Sequence, residues 1–307
     1  MRLAVMGAGG VGGYFGARLA QAGEDVTFIA RGAHLAAMRE SGLRVTSALG
    51  DCTITPAQAT DDPAAIGPVD YVLFSVKMYD TESAAEAIRP LIGPDTAVIS
   101  LQNGIDNEDK LACRLGAEHV VGGVSYIFAA IDQPGLIRHS GQMARLVVGE
   151  LDGQITPRLE AFRAAGQQAG LQVDLSADIR QTLWLKFLSN CASNGLTSVT
   201  RTPIGPIRED PDLRALCTAA LEEVAAVGRA EGINLPPNAV SSQLAGFDRL
   251  PYDSRSSTEQ DLARGKRLEI AYLNGRVAEL GRRHGIPTPV NHFIYTVLKP
   301  HAAGHTG

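Results

Sequence analysis

The spacing of hydrophobic positions changes near residue 175. Before that point, short unbroken apolar runs alternate with segments of helical periodicity. "RLAVMG" reads as a strand closing on glycines, "GGYFGARLAQAG" as a helix ending at Gly23, and "DVTFIAR" as the next strand. "YVLFSV" and "AVISLQ" are apolar throughout, the pattern of strands covered on both faces. Helical segments such as "TESAAEAIRPLI" lie between them. The alternation predicts βαβ units and a parallel sheet. From about residue 120, "VVGGVSYIFAAI", "GLIRHS" and "ARLVVGEL" read as extra strands finishing that sheet.

After "GLQVDLSADI" the spacing is that of helices alone. "RQTLWLKFLSNCASNGLTSV", "PDLRALCTAALEEVAAVGRAEG", "RLEIAYLNGRVAELGRRHG" and "VNHFIYTVLK" all carry apolar residues at helical intervals. The expected fold class is α/β: an N-terminal Rossmann-type dinucleotide-binding domain over 1–175 and a C-terminal all-helical domain over 176–307. A chain of 307 residues is long for one core and comfortable for two.

The first long helix of the second half holds an anomaly. Lys186, Asn190 and Asn194 stand at i, i+4 and i+8 in the otherwise apolar "WLKFLSNCASNGL". On a helix they lie one above the other, drifting by about 40° per step. A plain reading has Lys186 reaching past apolar neighbours to water and both amides facing solvent. Asn is a poor choice for a helix interior, however, and two in register make an odd surface. The stripe also falls next to the domain junction, and such junctions are preferred places for small-molecule sites.

At the other end of the chain, Gly7, Gly9 and Gly12 form GxGxxG within "GAGGVG". The motif is weak alone and strong here, because it follows a strand, opens a helix and precedes a second strand. The glycines allow a tight turn, approach of a pyrophosphate and close helix–strand packing. The loop Gly7, Ala8, Gly9, Gly10, Val11 and Gly12 is therefore the expected phosphate cradle. An NAD site usually has an acid at the end of the second strand, for the ribose 2′-OH. This chain has Ala30 and then Arg31, which suits a 2′-phosphate and predicts NADPH/NADP+ as cofactor. Lys77 and Asn103 fall just past two further strands, on the edge where such sheets bind ligands.

Composition removes several alternatives. The net charge of -5 and the lack of a long basic run argue against a nucleic-acid partner. No apolar run is long enough to span a bilayer. "MRLAVMGAGG" has too short an apolar stretch for a secretory signal. The four cysteines, Cys52, Cys113, Cys191 and Cys217, form no CxxC pair and read as reduced thiols of a cytoplasmic protein. Cys191 beside the stripe has no evident base partner. The seven histidines show no metal-ligand motif, and His301 and His305 sit in a Gly-rich tail, so no metal is expected. A homodimer is compatible with the sequence.

Taken together, "GAGGVG", "SVKMYD", "LQNG", "WLKFLSNCASN" and "SSTEQDLARGKRLEIAYLNG" resemble the 2-dehydropantoate 2-reductases (ketopantoate reductases) over nearly the full length. The resemblance implies a Rossmann domain, a helical domain and an active site between them. It implies NADPH-dependent reduction of 2-dehydropantoate to (R)-pantoate, a step towards pantothenate and coenzyme A. By the same resemblance Lys186 matches the catalytic lysine, Asn190 and Asn194 the substrate-binding asparagines, Ser257 the serine that meets the substrate carboxylate, and Glu269 the glutamate of the last motif. Asn103 and Lys77 match residues lining the cofactor and active site. Two positions depart from the family pattern: Thr258 stands where Met is common, and Ile204 where many members have Asn before Gly. Another bulky 2-oxo acid is the alternative substrate, and a non-catalytic NADP(H) sensor the alternative of another class. The chemistry agrees with the resemblance, since reduction of a ketone leaves an alkoxide that a lysine ammonium can protonate.

Overall fold

The computed structural model describes residues 1–304, so His305 lies outside the described residues. The chain divides into two compact units, Met1–Thr182 and Leu183–Gly307.

The first unit runs β1 (Arg2–Met6), α1 (Gly10–Gln21), β2 (Asp25–Ile29), α2 (Gly32–Ser41), β3 (Leu43–Thr46), β4 (Cys52–Ile54), β5 (Gln58–Thr60), β6 (Tyr71–Phe74), α3 (Thr81–Ala87), β7 (Ala97–Ser100), α4 (Asn107–Leu115), β8 (Val120–Gln133), β9 (Leu136–Glu150), α5 (Pro157–Gln168) and β10 (Gln172–Leu175). Its sheet has the order β4-β3-β9-β8-β7-β6-β1-β2-β5, with β10 paired to β9. From β5 to β8 the neighbours are parallel; β8 with β9 and β3 with β4 are antiparallel. Strands leave β1 in both directions, through β2 on one side and β6 on the other, which makes the end of β1 a topological switch point.

The apolar runs have the cause expected of them. In β1, Leu3 and Val5 belong to the cluster containing Tyr14, Phe15 and Phe162, while Ala4 and Met6 belong to the cluster containing Phe74, Ala84 and Leu111. Each face of the strand thus meets its own helices. Met6 pairs in register with both Ile29 and Phe74, and Phe74 with Ser100. The carboxyl ends of β2, β1, β6 and β7 therefore finish level with one another.

The second unit is built on α6 (Ile179–Thr200), α7 (Ile204–Glu209), α8 (Pro211–Ala230), α9 (Ala239–Asp248), α10 (Ser257–Ala263), α11 (Asn274–His284) and α12 (Pro289–Leu298). The division between units falls inside α6, beyond the end of β10 at Leu175. Among the described residues no strand follows β10, and no helix is long and apolar enough to cross a membrane. Glycines let the helices approach closely. A Cβ on Gly195 would stand 2.9 Å from Ile294 Cγ2, and one on Gly228 would stand 2.8 Å from Trp184 Cε3.

Three sequence expectations differ from the structure in detail. "GLIRHS" and "ARLVVGEL" belong to one strand, β9, rather than two. An irregularity opposite Ile127 and Phe128 absorbs the intervening residues, and Gly141 takes a positive φ of 82° there. The short strands β3, β4 and β5 lack the unbroken apolar run that marks the equally short β6 and β7, and their three or four residues carry too little periodicity to show as strands. "RLEIAYL" is not helical: α11 begins only at Asn274. The preceding segment follows the bend at Gly265 (φ 63°) and bonds through Leu268 N–H to the Ala302 carbonyl (3.0 Å). Tertiary pairing there overrides the helical spacing.

Candidate active site

The glycines of the first loop serve different ends. Gly7 has φ 92°, and a Cβ there would stand 2.9 Å from Val76 N, so both backbone and space demand glycine. A Cβ on Gly12 would meet the Ser75 hydroxyl and approach the Gly7 carbonyl to 2.6 Å. A Cβ on Gly10 would overlap the Ala129 carbonyl and stand 2.8 Å from Ala130 Cα, so Gly10 admits the β8 strand. Only Gly9 faces open space, with no atom within 4 Å of a built Cβ. It is also the N-cap of α1, and no side chain caps that helix. The first N–H groups of a helix have no partners within it, so this end can hold a pyrophosphate. Ala8 and Val11 complete the loop, Ala8 buried and Val11 partly so.

The backbone holds the loop to its neighbours. Gly7 and Ala8 N–H both donate to the Ile29 carbonyl, at 3.3 and 3.1 Å, and Ser75 Oγ donates to the Gly7 carbonyl at 2.8 Å. Arg31, exposed, is the N-cap residue of α2 immediately beyond β2. That is where a ribose substituent sits in a dinucleotide fold.

Beyond β6 and β7 lie Lys77 and Asn103, both partly buried. A polar network ties their loops together. Gln102 Nε2 donates to the Val76 carbonyl (2.9 Å) and to Thr81 Oγ1 (2.8 Å), Thr81 Oγ1 donates to Asn107 Oδ1 (3.1 Å), and Asn107 Nδ2 donates to the Asn103 carbonyl (2.6 Å). Next to it, in the first turn of α4, Glu108 is 2% exposed and makes no hydrogen bond of ordinary geometry through either carboxyl oxygen among the described residues. Burial pushes its carboxyl up to about 7, with its own backbone N–H and then the Ser100 hydroxyl opposing the rise. Sequence inspection missed Gln102, Thr81, Asn107 and Glu108. The one signal available was their clustering around the level strand ends.

In the second unit, α6 carries Lys186, Asn190 and Asn194 on successive turns. Lys186 and Asn190 are partly buried and Asn194 is buried. Burial lowers the Lys186 ammonium to about 8, and the Glu269 carboxylate works against that drop. Glu269 is buried in the non-helical segment before α11. An ammonium with a lowered affinity for its proton, beside a carboxylate, is a competent proton donor near neutrality. Cys191, between the two asparagines, is buried, and burial holds its thiol well above the usual range, which disfavours the thiolate. Ser257 is exposed as the first residue of α10. The preceding Ser256 shares a hydrogen bond with Thr197 of α6 (2.7 Å) and accepts one from Glu259 N–H (3.1 Å). Thr258 is buried, and Ile204 is 2% exposed within the unit's apolar interior. Among the described residues no cluster of His, Cys, Asp or Glu could hold a metal ion.

The turn of α6 between the asparagines is fixed by a directional chain of amides. Glu223 of α8 accepts Val290 and Asn291 N–H at 2.8 and 2.9 Å and Asn291 Nδ2 at 2.7 Å. Since a carboxylate only accepts, the Asn291 amide must turn its nitrogen to Glu223 and its oxygen the other way. That oxygen accepts Asn274 Nδ2 (2.8 Å), which also donates to the Cys191 carbonyl (3.0 Å). Gly195 leaves the space for this contact, since a Cβ there would lie 3.1 Å from Asn274 Nδ2.

Residues 3–153 match the family described as "Ketopantoate reductase PanE/ApbA", and residues 178–302 the family "Ketopantoate reductase PanE/ApbA C terminal". A protein of Mesorhizobium japonicum named 2-dehydropantoate 2-reductase is 33% identical over 97% of each chain. The crystal structure of a PanE/ApbA family ketopantoate reductase from Ralstonia eutropha JMP134 superposes with a TM-score of 0.91 at 37% identity, covering 98% of each chain. A ternary structure of D-mandelate dehydrogenase with NADH and anilino(oxo)acetate gives a TM-score of 0.90 over 98% of each chain. At 24% identity it speaks for the fold alone.

Proposed function

The chain belongs to the ketopantoate reductase family, oxidoreductases that act on a CH–OH/C=O couple, and from that premise we propose that it reduces 2-dehydropantoate to (R)-pantoate with NADPH. The reaction serves the formation of pantothenate and coenzyme A. The observation that carries the proposal is the stripe on α6, where the partly buried Lys186 stands in line with two carboxamides and feels the charge of the buried Glu269.

The Gly7–Gly12 loop and the uncapped start of α1 hold the pyrophosphate. Arg31 holds the 2′-phosphate by charge-assisted hydrogen bonds, and Lys77 and Asn103 line the cofactor at the ends of β6 and β7. A reduced nicotinamide, when held by these residues, would supply the hydride for the keto carbon. Lys186 polarises the ketone oxygen and gives it a proton as the alcohol forms. Glu269 favours the charged form of that ammonium against the effect of burial. Asn190 and Asn194 meet the substrate's polar groups without adding charge, and Ser257 meets its carboxylate. Lys186 then recovers a proton from solvent.

A second reading, reduction of another bulky 2-oxo acid, is favoured by Ile204. It is apolar and buried where many family members place an asparagine. Oxidation of NADPH against a panel of 2-oxo acids tests both. Ketopantoate with the highest kcat/KM supports the first reading, and a branched acid lacking the hydroxyl in that place supports the second. Absence of turnover across the panel would leave a sensor.

A further inference from the structure

His34 stands in the first turns of α2 and touches two other parts of the fold. The buried Gly135 N–H, in the turn between β8 and β9, donates to His34 Nδ1 at 3.0 Å. Nδ1 therefore carries no proton, and the neutral ring carries it on Nε2. Nε2 lies 2.9 Å from the Ala8 carbonyl and donates to it. Burial holds the imidazole below its usual range, the Ala8 contact partly opposing this, which keeps the ring in the neutral form that the Gly135 contact requires. Ala8 is the residue between the first two glycines of the phosphate loop. The hairpin is fastened to the same loop a second time, where the Ala129 and Ala130 backbone packs on Gly10.

We propose that His34 is a positioning residue for the dinucleotide: it clamps the Gly7–Gly12 loop to α2, which carries Arg31, and to the β8–β9 turn. The spacing between the pyrophosphate cradle and the 2′-phosphate contact is then set by this imidazole together with the Ile29 carbonyl that holds the loop to β2. This rests on the cofactor assignment made above, and it goes further by adding a residue that touches no ligand itself.

Asparagine and glutamine separate the two contacts. An Asn amide oxygen reaches the position of Nδ1, and a Gln amide nitrogen that of Nε2. His34→Asn keeps the bond from Gly135 and loses the one to Ala8; His34→Gln does the reverse. Titration calorimetry with NADPH and with adenosine 2′-monophosphate, which has no pyrophosphate, reads the effect. We expect His34→Asn to weaken NADPH about tenfold, as for one lost hydrogen bond. His34→Gln should stay within about threefold of the wild type, and adenosine 2′-monophosphate should bind all three proteins alike. Equal NADPH affinity in wild type and His34→Asn overturns the proposal, as does an equal loss for both ligands, which marks general damage. Hydrogen exchange in the ligand-free protein supplies an independent readout. The Gly9 and Gly13 amides, bonded to the Gly7 and Gly9 carbonyls at 2.7 Å each, should exchange faster in His34→Asn than in His34→Gln. A wild type that binds no dinucleotide removes the cofactor assignment, and with it the proposed role. The exchange pattern then still decides whether the clamp on the loop exists.

Discussion

Replacing Glu108 by glutamine should flatten the dependence of stability on pH. The carboxyl is 2% exposed, and burial raises it from 4.5 to about 7. Across that window the folded chain keeps a proton that the unfolded chain has released. The stability this group contributes is fully present below about pH 4.5, is lost as pH rises, and is gone once pH has passed about 7. The gap from 4.5 to about 7, at about 1.4 kcal/mol per pH unit, amounts to about 3 kcal/mol. Glutamine has nearly the same shape and does not titrate. Relative to the wild type, Glu108→Gln should therefore gain about 3 kcal/mol between pH 4.5 and pH 8. In a unit of this size that is roughly 6–12 °C in Tm. Thermal unfolding of both proteins at several pH values measures the difference directly, and titrations common to both cancel. A difference that stays constant with pH would refute the reasoning, and so would a Glu108 carboxyl seen by NMR to titrate near 4.5.

Lys186→Ala should lower kcat by about 10²–10⁴, the span for a positioned acid, with NADPH affinity little changed. Lys186→Arg should not restore activity, because guanidinium holds its proton too tightly. Because the donor must be charged, kcat/KM of the wild type should fall as pH rises through about 8, and a flat profile to pH 10 would exclude Lys186 as the donor. Arg31→Ala should weaken NADPH by about 1–3 kcal/mol while leaving NADH nearly unaffected; equal losses in fluorescence titrations would count against the 2′-phosphate contact. Gly9→Ala and Gly10→Ala should part company. The first should fold normally and lose dinucleotide affinity, and the second should lose Tm, because its methyl group overlaps the Ala129 carbonyl.

The parallel half of the sheet was legible because buried parallel strands leave unbroken apolar runs, as in Leu3–Met6 and Tyr71–Phe74. The stripe on α6 was legible because a spacing of four survives any detail of packing. Other features had no local signature. The segment before α11 has helical spacing but runs through turns, tied at Leu268 by its bond to Ala302. Glu108 looks like an ordinary acid in a first helical turn, and its burial comes from the partners of α4. His34 and Gly135 are 101 residues apart, and only the pairing of β3 with β9 brings their regions together. Asn274 and Asn291 likewise read as polar helix residues until α11, α12 and α8 close around them.

The phosphate loop is attached to β2 through the carbonyl oxygen of Ile29, which accepts both Gly7 and Ala8 N–H. A main-chain acceptor is the same whatever side chain follows it. The residues that come next, Ala30 and Arg31, can therefore drift without moving the loop, and the imidazole that also grips the loop sits further along α2. The scaffold separates the feature common to all dinucleotides from the feature that tells one from another. In an evolving lineage, exchange of one coenzyme for the other would then need few steps and no intermediate with a broken cradle. Coenzyme preference is in that sense a replaceable module, while the geometry of the cradle is inherited intact.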